Sequence, residues 1–157
     1  MKLTVVAVSH KPPDWAQTAW DSYTKRLPKD WSLDLKLVKP AARELGKTAQ
    51  QNMLLEAQRI EGAIKDTVGA KVALDERGSI KTTQQFLGLI QQSQDQHGGI
   101  VFIIGGPDGL DPDFKAKCHT KVQLSAMTMP HALVKVLLVE QIYRACSIAS
   151  GHPYHRS

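Results

Sequence analysis

The segment His152-Pro153-Tyr154-His155-Arg156 gathers two imidazoles, a phenol and a guanidinium within five residues. A terminal segment seldom concentrates chemically active groups in this way. Imidazole titrates near neutral pH and can take or give a proton, while a guanidinium can stabilise a developing anion. The His-x-x-His spacing also raises a metal site. Two such ligands without a nearby carboxylate make a poor one, and no metal is expected. Two further segments offer backbone instead of side chains. Gly105-Gly106-Pro107-Asp108-Gly109-Leu110 follows the apolar run Ile100–Ile104 without a spacer. Glycines at a strand end let a ligand approach the backbone, or they form a tight strand-to-helix turn. Leu124-Ser125-Ala126-Met127-Thr128-Met129-Pro130-His131 alternates small, polar and apolar residues before a helix that Pro130 opens at its first position. Its backbone groups near Ser125 and Thr128 can bond an adenine or a ribose, or the segment can simply cap the helix.

One pattern points elsewhere. Ala41-x-x-x-x-Gly46-Lys47-Thr48, with Val72-Ala73-Leu74-Asp75-Glu76 further on, sketches a nucleotide triphosphatase. Alanine in place of the first glycine removes the freedom needed to wrap phosphates. The preceding strand also alternates with charges, as an edge strand does, whereas a phosphate loop leaves a buried central strand. This reading is set aside.

The elements that must position these segments alternate between short apolar strands and longer amphipathic helices. Leu3–Val8 is a near-continuous apolar strand, and Leu33, Leu35 and Leu37 alternate with Asp34 and Lys36 at the strand period. Trp15, Ala19, Tyr23 and Leu27 recur every four residues, a helical stripe with Asp14 as its N-cap. A helix is predicted over Thr48–Ile64, a strand over Lys71–Leu74, a helix over Thr83–Gln94, and a buried strand over Ile100–Ile104. A short helix near Pro112–Lys117, a strand near Val122–Leu124 and a helix over His131–Ile148 complete the chain. This order specifies an α/β fold with a mostly parallel sheet flanked by helices, as one domain over residues 1–157. Ligands of such sheets sit beyond the carboxyl ends of the strands. Those ends are Leu74–Gly78, Gly105–Gly109 and Leu124–Met129.

The 157 residues are 42% apolar and 22% charged, ordinary values for a soluble globular domain. No export signal or stretch of roughly 18 apolar residues is present, so a cytoplasmic protein with no membrane partner is expected. Cys118 and Cys146 then read as reduced, packed thiols. A formal charge of +5 fits a polyanionic partner, but the lysines and arginines are dispersed and no basic arm appears.

Taken in order, Val6-Ala7-Val8, Leu74-Asp75-Glu76-Arg77-Gly78, Ile104-Gly105-Gly106-Pro107-Asp108-Gly109, Leu124–His131, Glu140-Gln141-x-Tyr143-Arg144-Ala145 and Tyr154-His155-Arg156 resemble the ribosomal RNA large subunit methyltransferase H family. The resemblance spans the whole chain. It implies a SPOUT-type α/β knot, whose C-terminal part threads a trefoil knot. It implies S-adenosylmethionine as cofactor, lying against Leu74, Gly105, Leu124, Ser125, Ala126, Met127, Thr128 and Met129. It implies methylation of N3 of a pseudouridine in 23S ribosomal RNA of the assembled ribosome, with no DNA partner. It also implies a homodimer whose active sites draw on both subunits. The final helix carries Leu133, Val134, Val136, Leu137, Leu138, Val139 and Ile142, more apolar surface than one core face requires. A dimer surface or full burial would each account for it. The sequence departs from the family pattern at Ser9, Lys135 and Gly151, and Lys135 lacks the guanidinium fork of the more common arginine.

The implied chemistry assigns catalytic work to the tail. Arg156 or His155 would support the anionic base and Tyr154 would position it, or His155 would act as general base. Two other functions stay open at this point: a SPOUT methyltransferase with a different RNA target, and a non-catalytic RNA-binding module.

Overall fold

The computed structural model describes residues 1–156, with side chains through Tyr154. Five strands form one sheet in the order β2-β1-β4-β3-β5, where β1 is Lys2–Val8, β2 Ser32–Val38, β3 Ala70–Ile80, β4 Ile100–Ile104 and β5 Thr120–Gln123. Every pairing is parallel. The central strands β1 and β4 contain almost only apolar residues because both faces are covered.

Alternate residues serve opposite layers. Leu3, Val5 and Ala7 of β1 and Ile100, Phe102 and Ile104 of β4 point into one core. That core also takes Trp20 from α1 (Asp14–Thr24), Phe86, Leu87 and Ile90 from α3 (Thr83–His97), and Leu138, Val139 and Ile142 from α5 (His131–Ser150). Val6 and Val8 of β1 and Val101 and Ile103 of β4 point into the other. There they meet Ala57, Ile60 and Ile64 of α2 (Ala49–Ile64) and Phe114 of α4 (Pro112–Lys117). The result is a three-layer α/β sandwich, the fold class expected from the alternation of elements.

Local signals account for most boundaries. Thr48 and Thr82 accept the backbone N–H groups of Gln51 and Gln85, whose side chains accept from the threonine N–H groups in return. These are two capping boxes. The first places Gly46-Lys47-Thr48 in the service of a helix start, and β2 before it is the edge strand its alternating charges indicated. Three expectations need correction. Pro13, not Asp14, is the N-cap of α1 and makes no side-chain cap bond; Asp14 is the first helical residue. Pro130 is likewise the N-cap of α5, not its first helical position. β3 does not stop at Leu74 but runs to Ile80, with its register against β5 shifting between Leu74 and Ser79. Gly78 makes this possible: a Cβ there would fall 2.6 Å from the backbone of Val122. The polar run Asp75-Glu76-Arg77 concealed the continuation, since it lacks the apolar pattern of a strand.

Lys135 is buried on α5, with its ammonium 6.0 Å from the centroid of the Trp20 ring. Burial lowers its pKa. The ammonium thus faces an aromatic ring inside the protein, away from the surface where a phosphate would bind.

Candidate active site

The carboxyl ends of β3, β4 and β5 open into one cleft of about 390 Å³, within the usual range of roughly 300–1,000 Å³ for small-ligand sites. The expected residues Leu74, Gly105, Leu124, Ser125, Ala126, Met127, Thr128 and Met129 all line it. Three segments far apart in sequence converge there because parallel strands share one end.

Each wall is built differently. Ile104 leads into Gly105 and Gly106, and Gly109 returns its N–H to the Gly106 carbonyl at 3.0 Å. This tight turn requires Gly109 at φ +86°. A Cβ on Gly105 would lie 2.9 Å from Leu110 Cγ and 3.0 Å from Gly109 C, and one on Gly106 would lie 2.7 Å from Glu56 Oε1. The missing side chains therefore serve the turn and its packing, while the same residues border the cleft. The Leu124–Met129 wall is largely exposed, and within it Ser125 Oγ accepts the Met127 N–H at 3.0 Å. Thr128 also lines the cleft and is not the N-cap of α5, which is Pro130.

Sequence reasoning had not assigned the charged lining. Asp75 of β3 pairs with Lys115 of α4 at 3.2 Å, and Asp108 pairs with Arg43 at 3.1 Å. Two carboxylates at the cleft are thereby neutralised by side chains from elsewhere in the chain. Glu76, Arg77 and His131 complete the charged and titratable lining. Asp75 and Asp108 stood in segments already of interest, but nothing in the pattern around Lys115 distinguishes it from a surface lysine. Among the described residues no group of three or more histidine, cysteine, aspartate or glutamate side chains is placed to hold a metal.

Tyr154 is not in the cleft. It lies on the 3-10 turn Pro153–Arg156 and packs edge-on to Tyr143, with ring centroids 4.7 Å apart. Its hydroxyl donates to Glu140 Oε1 at 3.3 Å and lies 3.4 Å from the Tyr23 hydroxyl, and the Arg144 guanidinium sits 5.0 Å from its ring. Burial, then the Tyr23 and Glu140 contacts, raise its pKa, so the phenol stays protonated at neutral pH. His131 lines the cleft and Glu140 comes nine residues later on α5, a displacement of about 13 Å at 1.5 Å per residue. The side chains of His155 and Arg156 lie outside the described residues.

A glycine turn and a polar loop around a cleft at the carboxyl end of a parallel sheet are the arrangement of an α/β protein with a candidate small-molecule site. The family described as "Predicted SPOUT methyltransferase" matches residues 1–155. Among solved structures, a probable methyltransferase from Bordetella pertussis Tohama I shares the fold, with a TM-score of 0.60 at 18% identity over 92% of this chain and 96% of that one. A probable methylase family protein from Haemophilus influenzae Rd KW20 gives 0.59 at 14% identity, covering 97% of this chain and 69% of that one. Two curated relatives are similar along their whole length, both called Ribosomal RNA large subunit methyltransferase H. The Variovorax paradoxus (strain S110) protein is 50% identical over 156 residues, 99% of each chain. The Bordetella avium (strain 197N) protein is 50% identical over 161 aligned positions, covering both chains fully. The chain belongs to the SPOUT methyltransferases and, within them, to the ribosomal RNA large subunit methyltransferase H family. It is therefore a methyltransferase, and its cleft is the candidate site for a methyl donor.

Proposed function

We propose that this protein transfers the methyl group of S-adenosylmethionine to N3 of a pseudouridine in 23S ribosomal RNA of the assembled ribosome, acting in the cytoplasm as a homodimer. The observation that carries the reading is the cleft itself. All eight residues expected to bind the cofactor line it, in a chain half identical to relatives named for ribosomal RNA methylation. The lining fits the cofactor's chemistry. Leu74, Ile104, Leu110, Leu124, Met129 and Val134 offer apolar surface to an adenine, while Ser125, Thr128, Gln123 and exposed backbone offer hydrogen bonds to a ribose. The carboxylate of Glu76, which also lines the cleft, offers an acceptor for an ammonium group.

S-adenosylmethionine supplies, when bound, an electrophilic methyl group that needs no further activation. The work left to the protein concerns the nucleophile. The imide nitrogen attacks only after losing its proton, so the site must accept that proton and stabilise the charge left on the base. His155 would accept the proton as general base, Arg156 would stabilise the charge left on the base, and Tyr154, held neutral as a donor, would fix the tail that carries them. Holding nitrogen and methyl in line supplies the remainder of the rate.

The same geometry supports the dimer in this reading. Tyr154 is not among the residues that line the cleft of its own chain, which leaves room for a second copy to bring its tail to the site. Leu133, Val136 and Leu137 of α5 remain only half-buried, leaving apolar surface for such a partner. The trefoil knot belongs to this proposal as the fold feature implied by the family.

The test combines titration with S-adenosylmethionine by calorimetry, mass measurement in solution, and methyl transfer to ribosomes lacking the modification. Binding by a dimer, with one methyl incorporated at a 23S pseudouridine, is expected. A folded protein that binds no S-adenosylmethionine would overturn the reading, and methyl transfer to transfer RNA instead would replace its substrate.

A further inference from the structure

The glycine turn of the cleft rests on a residue that does not itself line the cleft. Glu56 is 4% exposed, in the middle of α2. Its Oε2 accepts the Ala41 N–H at 2.9 Å, while its Oε1, equally buried, has no hydrogen-bond partner among the described residues. Burying a carboxylate with one oxygen unsatisfied is costly. The oxygen instead lies against Gly106, where a Cβ would fall 2.7 Å from it and 3.0 Å from Oε2. The segment bound to the same carboxylate is tied down twice more. Arg59 of α2 donates to the carbonyls of Lys39 and Pro40 at 2.8 and 3.0 Å, and Arg43 pairs with Asp108 on the far side of the glycine turn.

We propose that Glu56 is a positioning residue for the methyl-donor site: its buried carboxylate fixes the 39–43 segment and the Gly105–Gly109 turn against each other, and so sets the wall of the cleft that the donor contacts. This rests on the reading of the cleft as a methyl-donor site. A carboxylate at the surface would swing aside from a new methyl group. This one is enclosed and held by Ala41, so any displacement breaks that bond or moves the turn. Glu56 acts on the donor only through Gly106. It touches neither the donor nor the RNA, and its effect falls on donor affinity.

The experiment uses the full chain in five forms: wild type, Glu56→Gln, Glu56→Ala, Gly106→Ala, and the double variant Glu56→Ala/Gly106→Ala. Calorimetry with S-adenosylmethionine gives Kd, thermal unfolding confirms folding, and ribosome methylation at saturating donor gives kcat. Glu56→Gln keeps the shape and an acceptor for Ala41, and should bind the donor nearly as wild type does. Glu56→Ala should weaken donor binding about tenfold with kcat nearly unchanged, a split that uniform loss of structure does not produce. Gly106→Ala should weaken binding by a similar factor. In the double variant the two effects should not multiply, because the methyl group then occupies the space the carboxylate left. Wild-type Kd in folded Glu56→Ala, or a Gly106→Ala penalty of the same size with and without Glu56, would overturn the proposal. If Glu56→Ala does not fold, wild-type affinity in Gly106→Ala overturns it alone. Failure of the wild-type protein to bind the donor would remove both this role and the methyl-donor site itself.

Discussion

Removing the Tyr154 hydroxyl or its whole side chain separates anchoring of the tail from catalysis. In Tyr154→Phe the ring stays against Tyr143, and among the described residues the contacts to Glu140 and Tyr23 are lost, at 3.3 and 3.4 Å. Both are longer than a good O–H···O bond, so the bond to the Glu140 carboxylate falls below the usual charged-partner range and costs about 1 kcal/mol. For a domain of this size that is a fall in Tm of roughly 2–4 °C. Tyr154→Ala also loses the edge-on pair with Tyr143 and the Arg144 guanidinium over the ring, which brings the total to about 2–4 kcal/mol. Differential scanning calorimetry reads both. Single-turnover methylation of ribosomes should fall about a hundredfold in Tyr154→Ala, the scale of a misplaced catalytic group, while the donor Kd stays near wild type. An unchanged Tm in Tyr154→Ala would refute the docking of the tail on α5. An unchanged methylation rate would refute the tail's part in catalysis.

Three further outcomes are expected. Burial, together with the nearby Asp30 carboxylate, raises the Cys146 thiol to about 11, so it should resist a thiol reagent at pH 8 until the protein unfolds; rapid labelling of the native protein would contradict this. His119 accepts the Lys71 N–H through Nδ1 at 2.9 Å, which requires a neutral ring, and burial followed by the His97 and Lys71 charges lowers its pKa from 6.5. Its contribution to stability should be full above pH 6.5 and lost as pH falls through the lowered folded value; an NMR midpoint for His119 at or above 6.5 would reverse the sign. The Asp75–Lys115 pair is only partly exposed, at 14% and 22%, and a double-mutant cycle with Asp75→Asn and Lys115→Met should give a coupling of about 0.5–1 kcal/mol that salt weakens. Zero coupling at low salt would show that the pair is not formed in solution.

The sequence by itself determined the layers and the strand ends at which the candidate site lies. Apolar runs such as Ile100–Ile104 declare a strand buried on both faces, and helices of three-to-four-residue period between them require a parallel sheet, whose ligands lie at the strand ends. Three strand ends could therefore be named, with all eight expected cofactor residues among them. The threonine caps at Thr48 and Thr82, which were not among the expected caps, are also local features, because a capping box is complete within four residues. What only the tertiary structure decided depends on distance between segments. Asp75-Glu76-Arg77 reads as a loop because its polar residues face the cleft rather than a core, yet it continues β3. Lys115 gains its place only because α4 packs beside β3. Glu56 looks like a surface glutamate on an amphipathic helix, and its burial becomes visible only when the 39–43 segment and Gly106 close over it. Tyr154 reads as a catalytic group from its neighbours in sequence, while the fold places its hydroxyl on Glu140 and Tyr23, outside the residues that line the cleft. Local pattern fixes which residues are strand, helix and cap; which side chains meet is set by the packing of elements far apart in the chain.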